Sequence, residues 1–161
     1  MVRSLKILIA VMFTAIIVVL VGSTSALRAD GAGDAQNRFF DALCIKESSG
    51  VANPPKGDGG MARGPYQIWE HYFQDALEAD ESIRGLHYED CDDEFKASMV
   101  VGAYMRRYEL AAWDAQDWQS LARLHNGGPS WRRTASAKDQ RRRAKTLAYW
   151  RGLKKIMDGL D

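Results

Sequence analysis

Apolar residues recur at helical spacing along most of the chain after residue 36, and this periodicity restricts the fold more than any other feature of the sequence. The first periodic stretch predicts a helix from Gln36 to about Glu47. Its apolar face would carry Phe39, Phe40, Leu43 and Cys44. Four further helices are predicted at 71–79, from about 92 through 108, at 113–124 and at 144–160.

A glycine-rich segment interrupts the helical pattern. Residues 50–64 hold five glycines and two prolines, a composition typical of a loop. The next residues, from Gly64 to Trp69, suit a short strand or turn, and Asn126-Gly-Gly-Pro129 should end the helix before it. The predicted fold class is therefore mainly α (α+β), with a small β element after the glycine loop.

The N-terminal segment has the composition of a secretory signal. Arg3 and Lys6 precede an uncharged, almost wholly apolar run at 7–21, and small residues follow up to Ala26. This run is shorter than the roughly 20 residues that span a bilayer. We expect a signal peptide at 1–26, a loose arm at 27–35 and a folded domain at 36–161. The protein would then be secreted, or enter a digestive lumen, without stable membrane association; an uncleaved anchor is the alternative.

Charge is balanced over the whole chain but segregated along it. The 22 basic and 21 acidic residues nearly cancel, so bulk charge does not favour nucleic acid as a partner. Residues 70–94 contain ten acidic residues and one basic residue, whereas 123–155 contain eleven basic and one acidic. The two segments either face each other or form separate surfaces. In the second case an anionic polymer would be attracted by Arg132, Arg133, Arg141, Arg142 and Arg143.

The two cysteines, Cys44 and Cys91, are too few for a disulfide scaffold or a Cys-only zinc site. In an oxidising compartment they are candidates for one disulfide, with two buried free thiols as the alternative. The acidic run 90–94 lacks the glycine and spacing of an EF-hand and indicates a helix start instead. None of the functions that the sequence suggests requires a metal or another cofactor.

Two carboxyl groups lie in contrasting settings. Glu47 ends an apolar helix, where partial desolvation favours a retained proton, whereas Asp58 lies among Gly57, Gly59 and Gly60 in a polar loop and should stay ionised. A protonated carboxyl and a carboxylate together are the pair that glycoside hydrolysis uses, as in the lysozyme that serves as its type case. Taken alone, Glu47 is better explained as a solvated residue at a helix end, and Asp58 as a turn residue.

Four polar or aromatic residues are candidates for the walls of a cleft around these carboxyl groups. Tyr66 and Gln67 lie on the expected strand, where an aromatic face can stack on a sugar and an amide can hydrogen-bond an acetamido group. His125 and Asn126 begin a tightly bent loop. The alternative is that Tyr66 belongs to the core and that His125 is structural.

Four segments together resemble the invertebrate-type (i-type) lysozymes, also called the destabilase family. They are Cys-Ile-Lys-Glu-Ser-Ser-Gly (44–50), Gly-Pro-Tyr-Gln-Ile (64–68), Ala-Tyr-Met-Arg-Arg-Tyr (103–108) and Ala-Arg-Leu-His-Asn-Gly-Gly-Pro (122–129). Thr-Leu-Ala-Tyr-Trp (146–150) is similar to the terminal helix of that family. The resemblance implies a lysozyme-like fold, with several helices around a cleft and a small β-hairpin element.

The resemblance also implies an activity and its residues. Glu47 matches the proton donor of the family, and Asp58 is the aspartate of this loop that can match the second carboxylate. The implied reaction is retaining cleavage of the β-1,4 bond between N-acetylmuramic acid and N-acetylglucosamine in bacterial peptidoglycan. Family members are usually rich in cysteine, so the loops of this chain must be held by packing or by the arginine-rich insert around 131–145.

Two other functions remain open from the sequence. The Glu-Ser-Ser-Gly and Gly-x-x-Gln-Ile segments also resemble lytic transglycosylases, which use one glutamate, here Glu47, and release anhydro-muropeptides. The basic segment 123–155 would suit a non-enzymatic cationic protein that binds bacterial walls. The oligomeric state does not follow from the sequence.

Overall fold

A computed structural model describes residues 33–51 and 53–160. The chain divides into two compact units, Met1–Asn37 and Arg38–Asp161, and the core and the candidate site belong to the second unit. The expected signal peptide at 1–26 and residues 27–32 of the expected arm lie outside the described residues. Residues 33–35, assigned to the arm from the sequence, are helical.

The described part of the chain contains five α-helices and a two-stranded sheet. The helices are α1 (33–48), α2 (Glu70–Ala79), α3 (Glu94–Asp114), α4 (Trp118–Gly127) and α5 (Ala137–Met157). Strands β1 (Ala62–Arg63) and β2 (Ile68–Trp69) pair antiparallel, with Ala62 opposite Trp69 and Arg63 opposite Ile68. The prediction of a mainly α fold with a small β element is confirmed.

Helix α3 lies at the centre of the fold, packed against α2 and α4, and α4 in turn packs against α5. Its buried residues include Val100, Val101, Tyr104 and Met105. The ring of Tyr104 stacks on that of Tyr72 from α2, with centroids 3.5 Å apart. Burial of such aromatic faces supplies much of the hydrophobic free energy of folding.

Several helix boundaries differ from the prediction. Trp113 belongs to α3, not to the helix after it, because the chain turns at Gln116 with φ +53° and Asp117 caps α4 by accepting a hydrogen bond from the Ser120 amide. Helix α5 begins at Ala137, seven residues before the predicted 144, because Ser136 and Asp139 form a capping box. The segment Asn126-Gly-Gly-Pro129 was expected to end the preceding helix, but α4 includes Asn126 and Gly127. Gly128, which has φ +67°, ends the helix.

The acidic residues of segment 70–94 form salt bridges with basic residues that lie outside the basic segment 123–155. Its salt bridges join Asp80 to Arg106 and Glu78 to Arg107, both at 2.8 Å, and Asp92 to Arg63 at 2.9 Å. The acidic run 90–94 also caps helices: the Asp93 carboxylate accepts a hydrogen bond from the Lys96 amide at the start of α3. Among the described residues, no ion pair joins the acidic segment to the basic one.

In the structure Cys44 and Cys91 are both buried free thiols, which is the alternative to a disulfide that the sequence left open. An oxidising compartment permits a disulfide, but the bond also requires two facing Cβ atoms less than about 4.5 Å apart, which a spacing in the sequence does not establish. The Sγ atom of Cys44 lies 3.7 Å from the Ser48 hydroxyl on its own helix. Burial raises the pKa of Cys44, and it raises the pKa of Cys91 to about 12.

None of the helices in the described part of the chain is long and apolar enough to cross a membrane.

Candidate active site

A cleft of about 340 Å³ gathers side chains from α1, the 57–69 hairpin, α2, α3, α4 and α5. Five of the six residues predicted for catalysis or substrate binding line it: Glu47, Asp58, Gln67, His125 and Asn126. The two carboxyl groups thus share one cavity although they come from a helix and a loop. The other residues lining the cleft include Trp69, His71, Tyr72, Tyr104 and Lys145.

Glu47 lies in the last turn of α1 with a side chain that is 21% exposed. The phenol of Tyr149, from α5, donates a hydrogen bond of 2.5 Å to its Oε1 atom. Burial raises the pKa of Tyr149 well above its usual value of 10, and the charge of Glu47 adds to this. The phenol therefore keeps its proton and remains a donor to Glu47 at any pH near neutrality.

His125 contacts the same carboxyl oxygen from α4. Its Nε2 atom lies 4.0 Å from Oε1 of Glu47, and its Nδ1 atom lies 3.2 Å from the hydroxyl of Tyr72. Burial lowers the pKa of His125 below its usual 6.5, against the opposing charge of Glu47 and a hydrogen bond with the backbone of Tyr66. The imidazole is therefore neutral at pH 7, and its contact with Glu47 is not an ion pair at that pH.

Asp58 begins a short 3₁₀ turn, Asp58–Gly60, at the tip of the loop, where it is exposed. Its backbone has φ +48°, a left-handed conformation that is uncommon outside glycine. The indole N–H of Trp69, on β2, donates a hydrogen bond of 3.0 Å to Oδ2 of Asp58. The second carboxylate is thus solvated and oriented by an aromatic neighbour, unlike the partly buried Glu47.

Gln67 braces the loop that carries Asp58. Its amide Nε2 donates to the carbonyl oxygen of Gly64 at 3.0 Å and to that of Pro55 at 3.5 Å. An added Cβ atom at Gly57 would lie 2.0 Å from Oε1 of Gln67, so a larger residue at position 57 would displace the Gln67 side chain. Gln67 also has a left-handed backbone, φ +48°, and such strain is concentrated at functional sites.

Asn126 brings an unsatisfied acceptor to the cleft. Within the described part of the chain its buried Oδ1 atom has no hydrogen-bond partner. Buried polar atoms are nearly always paired, so an unpaired acceptor in a cavity is typical of a site that water or a ligand completes.

The chain also matches a known protein family. The family model described as Destabilase matches residues 36–155. The chain belongs to the destabilase family. The resemblance inferred from the sequence motifs is thereby confirmed.

The similar proteins are lysozymes of bivalve molluscs, and the destabilase-family chain matches them at modest identity. A lysozyme of Magallana gigas is 34% identical over 88 residues, 54% of this chain and 54% of that protein. A lysozyme of Meretrix lusoria is 30% identical over 126 residues, 77% of this chain and 92% of that protein. A lysozyme of Ostrea edulis is 30% identical over 115 residues, 70% of this chain and 74% of that protein.

Tyr66 of this destabilase-family protein does not wall the cleft as predicted. It is 2% exposed and packs edge-on against Phe40, with ring centroids 5.9 Å apart. The sequence suited a short strand or turn from Gly64 to Trp69, and the cleft position of Tyr66 depended on the strand; the residues from Gly64 to Gln67 form a turn, and β2 begins at Ile68. The turn directs Tyr66 into the core, which was the alternative left open by the sequence.

Sequence reasoning missed the two residues that hold the carboxyl groups. Trp69 could have been suspected, since it is an aromatic residue beside Gln67 and Ile68 in a recognised motif. Tyr149 lies in the 146–150 segment that resembles the terminal helix of the family, but nothing in that segment indicates its contact with Glu47, which lies 102 positions away and is reached only through the packing of α5.

Proposed function

We propose that this protein is a secreted muramidase, a glycoside hydrolase that cleaves the β-1,4 bond between N-acetylmuramic acid and N-acetylglucosamine in bacterial peptidoglycan. The observation that carries the proposal is that Glu47 and Asp58 line one cleft in opposite environments. Membership of the destabilase family and similarity to bivalve proteins named lysozyme support it. Secretion is inferred from the composition of residues 1–26.

In the proposed reaction Glu47 is the general acid. Tyr149 and His125 both approach its Oε1 atom, so the transferable proton is assigned to Oε2. Glu47 gives this proton to the glycosidic oxygen as the bond from that oxygen to the anomeric carbon breaks. Partial burial of the carboxyl group by α1, α4 and α5 limits competition from water.

Asp58 is the proposed nucleophile or electrostatic stabiliser. Its ionised carboxylate either bonds to the anomeric carbon or stabilises the positive charge that develops there. Water then attacks the same carbon and gives its proton to Glu47, which restores both groups and retains the configuration. The Trp69 indole holds the carboxylate by its Oδ2 atom, which leaves Oδ1 free to face the sugar.

Substitution of the two carboxyl groups tests the proposal. Glu47→Gln should abolish lysis of bacterial walls, and Asp58→Asn should slow it at least about tenfold, roughly 1.4 kcal/mol in the barrier. Both variants should unfold at the wild-type temperature. Glu81→Gln, an exposed carboxyl outside the cleft, is the matched control and should lyse walls normally.

The products distinguish the alternatives. Hydrolysis leaves a reducing end with one added water, whereas a transglycosylase releases anhydro-muropeptides that lack this water. Anhydro products together with an active Asp58→Asn variant would contradict the muramidase proposal and favour the transglycosylase. Killing of bacteria by Glu47→Gln at the wild-type rate, without released fragments, would favour a charge-based mechanism.

A further inference from the structure

A second, basic groove continues from the cleft along α5. It has a volume of about 400 Å³ and is lined by Asn126, Gly127, Lys138, Arg141, Arg142, Lys145 and Thr146. Asn126, Gly127 and Lys145 line both cavities, so the two cavities lie side by side. We call this second cavity the basic groove.

Gly127 brings the two cavities together. A Cβ atom at this position would lie 2.5 Å from the Thr146 side chain and 3.0 Å from Cβ of Trp131. Only glycine therefore lets the end of α4 approach α5 this closely. The approach places Asn126, which faces the cleft, beside the cationic face of α5.

The four cations of the basic groove share one face of α5. Lys138, Arg141, Arg142 and Lys145 stand at positions i, i+3, i+4 and i+7, which is the spacing of one helix face. Like charges at this spacing repel and destabilise a helix by a few tenths of a kcal/mol per pair. The stability of α5 therefore does not explain why these four cations share one helix face, whereas binding of an anionic ligand would explain it.

Most of this charge is not neutralised within the described residues. Arg142 pairs with Asp139 and donates to the Ser130 carbonyl oxygen. Lys138, Arg141 and Lys145 make no ion pair or hydrogen bond in the described part of the chain, in contrast to Arg106 and Arg107, which are paired. Three uncompensated cations thus border a cavity that adjoins the proposed active site.

From this arrangement we infer that the basic groove binds the carboxylate groups of the stem peptide of peptidoglycan. The inference rests on the proposed function, because it requires the glycan to lie in the cleft. Each muramic acid carries its peptide on the lactyl group, so a muramic acid bound in the cleft places a flexible anionic branch within reach of α5. The backbone glycan without its peptides would leave the groove empty.

Removal of two cations provides the test. The groove pair, Lys138→Gln/Arg141→Gln, alters the basic groove at two residues that do not line the cleft. The control pair, Arg151→Gln/Lys155→Gln, removes one arginine and one lysine from the exposed surface of the same helix. Both pairs are introduced into the Glu47→Gln background so that the glycan is bound but not cut. The probe is teichoic-acid-free peptidoglycan chains, with or without peptides removed by an amidase.

The groove pair should bind peptide-bearing chains about five- to tenfold more weakly than the control pair, because each exposed ion pair contributes at most about 1 kcal/mol. Lys138→Arg/Arg141→Lys, which keeps both charges, should restore affinity. Peptide-free chains should bind all variants equally, and added salt should weaken the peptide-bearing complex more than the peptide-free one.

Equal affinity of the groove pair and the control pair for peptide-bearing chains overturns the inference while leaving the muramidase proposal intact. If the groove pair loses as much affinity for peptide-free chains, the groove binds the lactyl carboxylate that the amidase frees. That result overturns the assignment to the peptide. If the wild-type protein neither binds nor cuts peptidoglycan, the proposed function fails and the inference fails with it.

Discussion

At the scale of single side chains, Glu47 is held by groups from two other helices, and Tyr149 is the closest of them. We predict that Tyr149→Phe lowers the rate of wall lysis about tenfold, or about 1.4 kcal/mol in the barrier. The ring still packs against its neighbours, but Oε1 of Glu47 loses its donor and the carboxyl group is no longer held in one orientation. Initial lysis rates and thermal unfolding of both proteins measure the effect.

Tyr108→Phe is the matched control for this prediction. The Tyr108 phenol donates to the Asp75 carboxylate at 2.9 Å, a similar bond that lies outside the cleft. Both substitutions should cost similar stability, but Tyr108→Phe should leave the lysis rate unchanged. Equal rates for the two variants would show that the Tyr149 bond is only structural.

His125 makes the stability of the protein depend on pH. Burial lowers the pKa of His125 in the folded state. As the pH falls below 6.5, the imidazole of the unfolded chain is therefore protonated while that of the folded chain stays neutral. The unfolded state then binds more protons, so acidification destabilises the fold from 6.5 down to the lowered pKa, by at most about 1.4 kcal/mol per pH unit.

We predict that the loss of unfolding free energy from about pH 7 to about pH 5 is smaller in His125→Gln than in the wild type. The pH slope is compared, since the substitution also costs stability at every pH. His71→Gln, at an exposed position, should keep the wild-type slope. Urea denaturation at each pH gives the values, and identical slopes for wild type and His125→Gln would refute the prediction.

At the scale of elements, polar contacts hold the hairpin that carries Asp58. The Arg63 guanidinium donates two hydrogen bonds to Asp92, at 3.0 and 2.9 Å, and one to Glu89 at 3.2 Å. The Tyr88 hydroxyl contacts the carbonyl oxygens of Met61 at 3.0 Å and Ile68 at 2.7 Å. These contacts tie the hairpin to the segment before α3.

The same junction depends on Gly64. Its φ of +71° disfavours any side chain, and an added Cβ would lie 1.7 Å from the backbone oxygen of Cys91. We predict that Gly64→Ala lowers the free energy of unfolding by more than about 3 kcal/mol, because backbone has to move in addition to the conformational strain.

Gly59→Ala provides the comparison for Gly64→Ala, since Gly59 has φ +70° but no atom within 4 Å of an added Cβ. That variant should lose only the conformational term, about 1–2 kcal/mol. Urea denaturation of both variants separates the two contributions. Similar losses would mean that the contact with Cys91 relaxes freely.

The elements were predictable from the sequence where apolar periodicity marks them, and the candidate site only in part. Helix α2 was predicted within one residue, at 71–79 against Glu70–Ala79. The start of α5 was not, because its first turns are charged and its buried residues are Thr146 and Leu153. The Ser136-x-x-Asp139 pattern was the local signal for that start.

At the scale of the whole molecule, the parts of the site that were predictable are those whose signal lies in a short stretch of sequence. Glu47, Asp58 and His125 were found because each belongs to a short motif with its own chemistry. Their convergence in one cleft, and the support of Glu47 by Tyr149, depend on the packing of α1, α4 and α5, which no local pattern encodes. The inward position of Tyr66 likewise depends on a turn and not on strand alternation.

Packing and polar contacts, not a covalent cross-link, stabilise this fold, and the two cysteines provide a direct test. Both thiols are buried, and burial raises their pKa values, so the reactive thiolate is scarce and shielded in the folded protein. We predict that a thiol reagent labels neither cysteine in the native state and labels both after denaturation.

The melting temperature should also be the same with and without reductant, because the reduced state is the native one. The control is Cys44→Ala, which removes one thiol and should leave one to be labelled after denaturation. Cys44→Ser/Cys91→Ser is unsuitable because it buries two hydroxyl groups. If denatured wild-type protein yielded no free thiol, and reductant lowered its melting temperature, the cysteines would be cross-linked. A disulfide across the 47 positions between Cys44 and Cys91 would add about 4 kcal/mol, so its reduction would be easily detected.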